Sequence, residues 1–217
     1  SCNHNWADRL VYHGKDFIVI DKPAGLPSIA TVDNRVENAL NQVELFIGER
    51  LYVTHRIDHA TSGLLLFARQ ASAQQWFNKR LAKRQVKKTY LALSETFPRK
   101  GPWVHFLVDS RYAPKQVETA FREGTQECRT DVVEVKTLSP FFETQLQPLT
   151  GRTHQLRAQM AHEGHPLLGD TLYGGNQVAG FDSQHIGLHA YRLEFSEGPL
   201  CTRVFEAEPP WRKHPLI

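Results

Sequence analysis

"HRIDHATSGL", residues 55–64, sets two histidines, an arginine, an aspartate, a threonine, a serine and a glycine within ten positions. Apolar runs flank it, "LYV" at 51–53 and "LLLFA" at 64–68, the second beginning on its last residue. Short apolar runs bounded by turn-forming residues are the pattern of buried strands. The decapeptide therefore predicts a polar loop hung between two core strands. A loop of that make-up raises the question of whether one of its side chains is there for chemistry.

Working outward, "RLVYHGKDFIVIDKP" at 9–23 predicts two β-runs around Gly14, the second from Phe17 to Ile20 and ended by Pro23, which has no N–H for a ladder. Val36, Ala39, Leu40, Val43 and Phe46 have helical spacing. Ser72 is placed to cap a helix running to about Gln85, with Phe77 and Leu81 on one side and Lys79, Arg80, Lys83 and Lys87 on another. "KKTYLALSE" returns to β, and "WVHFLV", "VETAFRE", "TDVVEVKTL" and "FFETQLQPL" predict further strands between 103 and 149. "GRTHQLRAQMAHEGHP" predicts a helix from Thr153 to about His162, ended by Gly164 and Pro166. "GDTLYGG" predicts a loop, and "GLHAYRLEF" and "TRVFEAE" the last strands. With no βαβ alternation, no repeat and no low-complexity linker, the expectation is an α+β fold, mainly antiparallel, forming a single domain over 1–217.

The chain has 217 residues, 41% hydrophobic and 23% charged, enough for a sizeable core. No apolar run is long enough to cross a bilayer, and no secretory signal pattern opens the chain. Cys2, Cys128 and Cys201 have neither metal-like nor redox-like spacing, which points to a reducing, cytoplasmic setting. The net charge is +3, yet "KRLAKRQVKK" at 79–88 holds six Lys/Arg and no acid. That is either a solvated helix face or the footprint of a polyanion such as nucleic acid.

Asp58, in the middle of the loop, fits by pattern alone an Asx-turn or cap, and the competing reading is a carboxylate nucleophile. An ordinary aspartate, with a pKa of about 3.9, is ionised at neutral pH and needs no activating base, only a cation to offset its desolvation. Arg157 is the candidate cation, on a helical face shared with Thr153 and His154, with Met160 and Ala161 at offsets suited to packing beneath. Tyr90 is either a core tyrosine or one whose ring stacks on a base and whose oxygen moves a proton. Among eleven histidines, His154, His162, His165, His185 and His189 invite a zinc site, but no cysteine joins them and no HExxH occurs, so no metal is expected. No G-x-S-x-G elbow supports a Ser/His hydrolase.

"HRIDHATSGLLLFAR" resembles the H-R-L-D-x-x-T-S-G-L-L signature of RluA-type RNA pseudouridine synthases. "VIDKPAGLPS", "KKTYLAL" and "PLTGRTHQLRAQMAHEGHPLLGDTLYGG" are similar to that family's other blocks, in the family's order, from residue 18 to 175. The resemblance implies a curved, mixed, mainly antiparallel sheet flanked by helices with the active site in a central cleft. It implies isomerisation of selected uridines of rRNA or tRNA to pseudouridine after base flipping, with no metal or organic cofactor. By the same resemblance Asp58 is the catalytic aspartate, Tyr90 the tyrosine at the target base, and Arg157 the arginine that pairs with the aspartate. Arg56 matches an arginine that takes the place of the flipped nucleotide. His55, Lys79, Arg80, Lys83, Lys87, Arg152 and His154 complete the expected RNA contacts.

Ile57 stands where the family usually has Leu, and "ECRTDVVEV" where it often has an A-x-T-x-Y-like stretch. No S4-type RNA-binding domain precedes residue 18, which predicts a small stem-loop target met by a monomer. The rival expectation is an RNA-binding or RNA-chaperone protein on the same scaffold without catalysis, for which the basic residues would matter and Asp58 would not.

Overall fold

A computed structural model describes residues 4–33 and 35–214. The chain packs as two compact units, Ser1–Lys87 with Ala190–Ile217, and Lys88–His189. In chain order the first unit holds α1 (Trp6–Arg9), β1 (Leu10–His13), β2 (Phe17–Lys22), α2 (Ala39–Ile47), β3 (Tyr52–Val53), β4 (Ser62–Ala68) and α3 (Ala71–Ala82). The second holds β5 (Lys87–Ser94), β6 (Gly101–Val108), β7 (Val117–Glu118), β8 (Thr125–Leu138), β9 (Phe141–Pro148), α4 (Gln155–His162) and a 3-10 turn at Thr171–Tyr173. The chain then returns to the first unit with β10 (Leu188–Gly198), β11 (Cys201–Glu206) and α5 (Pro210–Lys213).

In the first unit the strand order is β1-β2-β4-β10, with β11 on β10 and β3 on β4. β2 and β4 pair antiparallel, from Phe17 opposite Ala68 to Lys22 opposite Gly63. Every residue of β4 and all but Asp21 of β2 are buried, because both faces are covered. Ile18, Ile20, Leu65 and Phe67 pack with Ala39 and Val43 of α2 and with Trp6, Leu26 and Leu51. On the other face Phe17 meets Phe77 of α3 and Phe195 of β10, at ring-centroid separations of 5.7 and 5.8 Å. Two-sided burial is why these strands read as continuous apolar runs rather than as alternation. Gly63 permits the fit: its φ is +114°, and a Cβ there would stand 2.3 Å from the carbonyl oxygen of Ala190.

The second unit runs β5-β9-β8-β6-β7, each neighbouring pair antiparallel. Ala158 of α4 packs on Leu107 of β6 and Cys128 of β8, with Val117 and Tyr173 at the edge. The α+β, mainly antiparallel architecture is as expected, while several boundaries are not. α3 begins at Ala71 with Gln70 as N-cap, so Ser72 lies inside the first turn, and it stops at Ala82, three residues before Gln85. α4 begins at Gln155, because His154 takes a left-handed conformation (φ 57°) as its N-cap; Thr153 is outside the helix. "VETAFRE" is a strand for two residues only, and α1 and α5 were not expected. Among the described residues no helix is long and apolar enough to cross a membrane.

Candidate active site

Asp58 is half-buried in the loop before β4, with Arg56 exposed beside it. The residues on either side of Asp58 are held by the segment that follows β2. Ser28 Oγ donates to the carbonyl of Ile57 (2.6 Å) and accepts from its N–H (3.1 Å). The carbonyl of His59 accepts from Lys22 Nζ (3.2 Å) and from the N–H of Gly25 (2.6 Å). The N–H of Thr61 donates to the carbonyl of Asp58 at 3.0 Å and closes the turn. The backbone on either side of Asp58 is therefore fixed by these bonds. "DKPAGLPS" and "HRIDHATSG" are two halves of one structure.

Lys22 is the centre of that bracing and is wholly buried. Its Nζ also donates to the carbonyls of Pro23 (2.8 Å) and Leu26 (2.6 Å), giving three acceptors for the three protons of an ammonium. Burial pulls its pKa from 10.5 to about 7, against the attraction of Asp58, which favours the charged form. Lys22 and Ser28 lie in a quoted motif, but the sequence assigned them no task. The signal was a lysine closing a run of otherwise apolar strand residues.

In the second unit Arg157, expected on a helix face, is 5% exposed. Its guanidinium meets Asp170 side-on, Nε to Oδ2 at 2.9 Å and Nη2 to Oδ1 at 2.8 Å. Nη1 donates to Nε2 of His154 at 3.1 Å, and the guanidinium carbon lies 5.2 Å from the centroid of the Tyr173 ring. Since an arginine only donates, His154 Nε2 must be its unprotonated nitrogen. The proton then sits on Nδ1, 2.9 Å from the Tyr173 hydroxyl, which also accepts from the N–H of Lys115 (2.8 Å). Asp170 and Tyr173, both in the "GDTLYGG" segment, were missed. Met160 is fully buried beneath the helix, as expected, whereas Ala161 is only half-buried.

Tyr90 lies on β5 opposite Leu146 of β9 and is half-buried. Asp58 belongs to the first unit, Tyr90 and Arg157 to the second. Of the expected RNA contacts, Lys79, Lys83 and Lys87 are exposed. Arg80 is half-buried, its guanidinium 4.1 Å from the Trp76 ring centroid. Arg152 is exposed and donates from Nε to the carbonyl of Glu127. His55 Nε2 accepts from the N–H of Leu66 (3.0 Å) and its ring lies against Phe77. That nitrogen serves β4. Burial lowers the pKa of Lys88, at the end of the basic run. Among the described residues no three His, Cys, Asp or Glu side chains converge as a metal site would require.

The sequence profile of a family described as RNA pseudouridylate synthase matches residues 16–162. A ribosomal large subunit pseudouridine synthase D of Vibrio parahaemolyticus is 32% identical over 93% of this chain and 66% of its own length. RNA pseudouridine synthase 6, chloroplastic, of Arabidopsis thaliana is 31% identical over 78% of this chain, which spans 41% of that relative. The chain thus covers less than two thirds of these two relatives. A tRNA pseudouridine synthase C of Yersinia pestis is 28% identical over 94% of this chain and 88% of its own length. The solved structure of human RNA pseudouridylate synthase domain containing 4 shares the fold, with a TM-score of 0.74 and 23% identity over 94% of this chain and 90% of that one. The profile match takes in the strands β2 and β4, the Asp58 loop, Tyr90 and Arg157 together, and the chain belongs to the RNA pseudouridylate synthase family.

Proposed function

We propose that this chain isomerises selected uridines of RNA to pseudouridine, with Asp58 as the catalytic carboxylate. The reaction breaks the N1–C1′ bond, turns the uracil, joins C5 to C1′ and releases the C5 hydrogen as a proton, while N1 takes up a proton. Atoms and electrons balance within the nucleotide, so the step calls for no oxidant, reductant or donor group. In this account Asp58 acts at the sugar–base junction and Arg157 holds its carboxylate. Tyr90 lies against the target base and serves as a proton acceptor late in the reaction. Residues 1–217 act as one catalytic domain, monomeric and cytoplasmic. The family match, which runs through both units, supports the first of these.

The observation that carries the proposal is the bracing of Ile57 and His59, which presents Asp58 from a fixed backbone. Fixed positioning of the reacting group is a large part of what an active site supplies. Flipping the nucleotide out of its stack costs a few kcal/mol, and stacking of the base on Tyr90, worth about 1–3 kcal/mol, offsets part of that. Arg56, exposed next to the loop, fills the vacated position, and Lys79, Arg80, Lys83 and Lys87 hold phosphates with Arg152. Ribosomal and transfer RNA, named for the relatives, are the substrate classes to test first, with a small stem-loop as the target shape.

The deciding experiment uses RNA carrying 5-tritiated uridine, isolated from cells lacking this protein. The native chain releases tritium, and Asp58→Asn binds the RNA without releasing it. Near-normal turnover by Asp58→Asn removes Asp58 from the reaction. A silent Asp58→Asn with loss of function on changing the lysines of α3 favours the binding-only alternative.

A further inference from the structure

We propose that Asp170, with His154 and Tyr173 behind it, is the positioning residue for Arg157. The inference rests on the proposed function, since it assigns Arg157 a role at the catalytic carboxylate.

At least three of the five N–H groups of Arg157 are committed, to Asp170 in the following loop and to His154 at the N-cap of its own helix. Asp170 takes Nε and Nη2, and His154 takes Nη1. The face of the guanidinium lies against the Tyr173 ring. A side-on fork, a third bond from another direction and a ring across one face leave one orientation of the guanidinium plane. A salt bridge kept only for stability needs none of this. Buried ion pairs are often no more stabilising than well-packed apolar groups of the same volume, because both charges must be desolvated. Both partners here are buried, 6% and 1% exposed, so the pair is an expensive way to hold α4 to the loop and an effective way to aim a guanidinium.

His154 carries a second sign of the same purpose. It is one of two non-glycine residues with positive φ among those described, a conformation that costs of order 1 kcal/mol or more in a residue with a side chain. In that conformation its two ring nitrogens bridge Arg157 and the Tyr173 hydroxyl, and the Lys115 N–H fixes that hydroxyl from the strand side. The chain of bonds runs Lys115, Tyr173, His154, Arg157, Asp170. Asp170 also offsets the charge of Arg157, so that the arginine orients a second carboxylate without fully neutralising it.

The test is Asp170→Asn, nearly the same shape with the charge removed, assayed by tritium release from the same labelled RNA. The expected result is a kcat at least tenfold lower with a KM for RNA within twofold of the native value, alongside a lower melting temperature from the loss of one partner of a buried pair. A kcat within twofold of native overturns the inference. So does a parallel loss of kcat and RNA affinity, which marks a purely structural pair. Should Asp170→Asn fail to fold, Tyr173→Phe decides: it removes the oxygen that holds His154 and keeps the ring. A severalfold lower kcat with KM held supports the clamp, and a native kcat overturns it. Asp58→Asn, run alongside, separates the two levels. If Asp58→Asn is active, the proposed function fails; if it is dead while Asp170→Asn is native, only the clamp fails.

Discussion

Lys22 Nζ donates to the carbonyl of His59, thirty-seven residues away and next to Asp58. The bond ties the end of β2 to the loop that opens β4, and its donor is a lysine with no exposure to solvent. Positioning of the proposed catalytic carboxylate thus depends on a residue that never reaches the substrate.

Replacing Lys22 by Met should change how stability depends on pH. Burial sets the native pKa at about 7, while the unfolded chain holds its proton to about 10.5. Between those values the unfolded state binds the extra proton, so native stability rises with pH by up to about 1.4 kcal/mol per pH unit. Below about 7 both states are protonated and the slope vanishes. Urea unfolding at pH 7, 8 and 9 should show the rise in the native chain and a flatter profile in Lys22→Met. Equal slopes would mean that Lys22 does not titrate in this window.

Ser28→Ala removes the hydroxyl that both gives to and takes from Ile57, in a buried setting. Leaving those backbone groups unsatisfied costs about 1–3 kcal/mol. Denaturant melts should show that loss, together with a lower kcat for the loosened Asp58. A native stability would show the Ile57 contacts to be dispensable.

Gly63→Ala should be among the more damaging small substitutions. The added Cβ meets the Ala190 backbone at 2.3 Å, and φ +114° is strained for any side chain. Strain and displacement of β10 together should cost more than about 2 kcal/mol. Thermal unfolding is the check, and a melting temperature within a degree or two of native refutes the close packing of β4 on β10.

Changing Lys79, Lys83 and Lys87 together to Ala should weaken RNA binding and flatten its salt dependence. Each phosphate contact with single-stranded RNA adds about 0.7 to the slope of log K against log salt, so the slope should fall by about 2. Filter binding between 50 and 300 mM salt measures it. An unchanged slope would place the exposed face of α3 away from the RNA.

The parts visible in the sequence are those set by period and composition. β2 and β4 are continuous apolar runs, and the Asp58 loop between two of them stands out by its polar residues. The start of β8, residues 125–129, was hidden because Cys128 is its one buried residue and the four around it are polar or charged. "VETAFRE" looked like a strand by its β-formers, but Phe121 is 73% exposed and leaves it no inner face. α1 and α5, four residues each, are too short for periodicity to register. At the site, Asp58 and Arg157 came from the motif blocks. Asp170 lies in the last of those blocks, but its pairing with a buried arginine is set by the path of the 163–170 loop, which no local pattern encodes. Lys22 was passed over because lysine is rarely buried without a partner; its partners turned out to be backbone carbonyls.

The bracing of Ile57 and His59 grips peptide groups, and those bonds do not depend on which side chain stands at position 58. A catalytically dead version of this protein should therefore be a well-folded one, able to seize its target and hold it unconverted. Such a variant would make a practical bait for recovering the RNA it serves, and a gene copy mutated at that codon would yield a competitor of the active protein rather than a mere null.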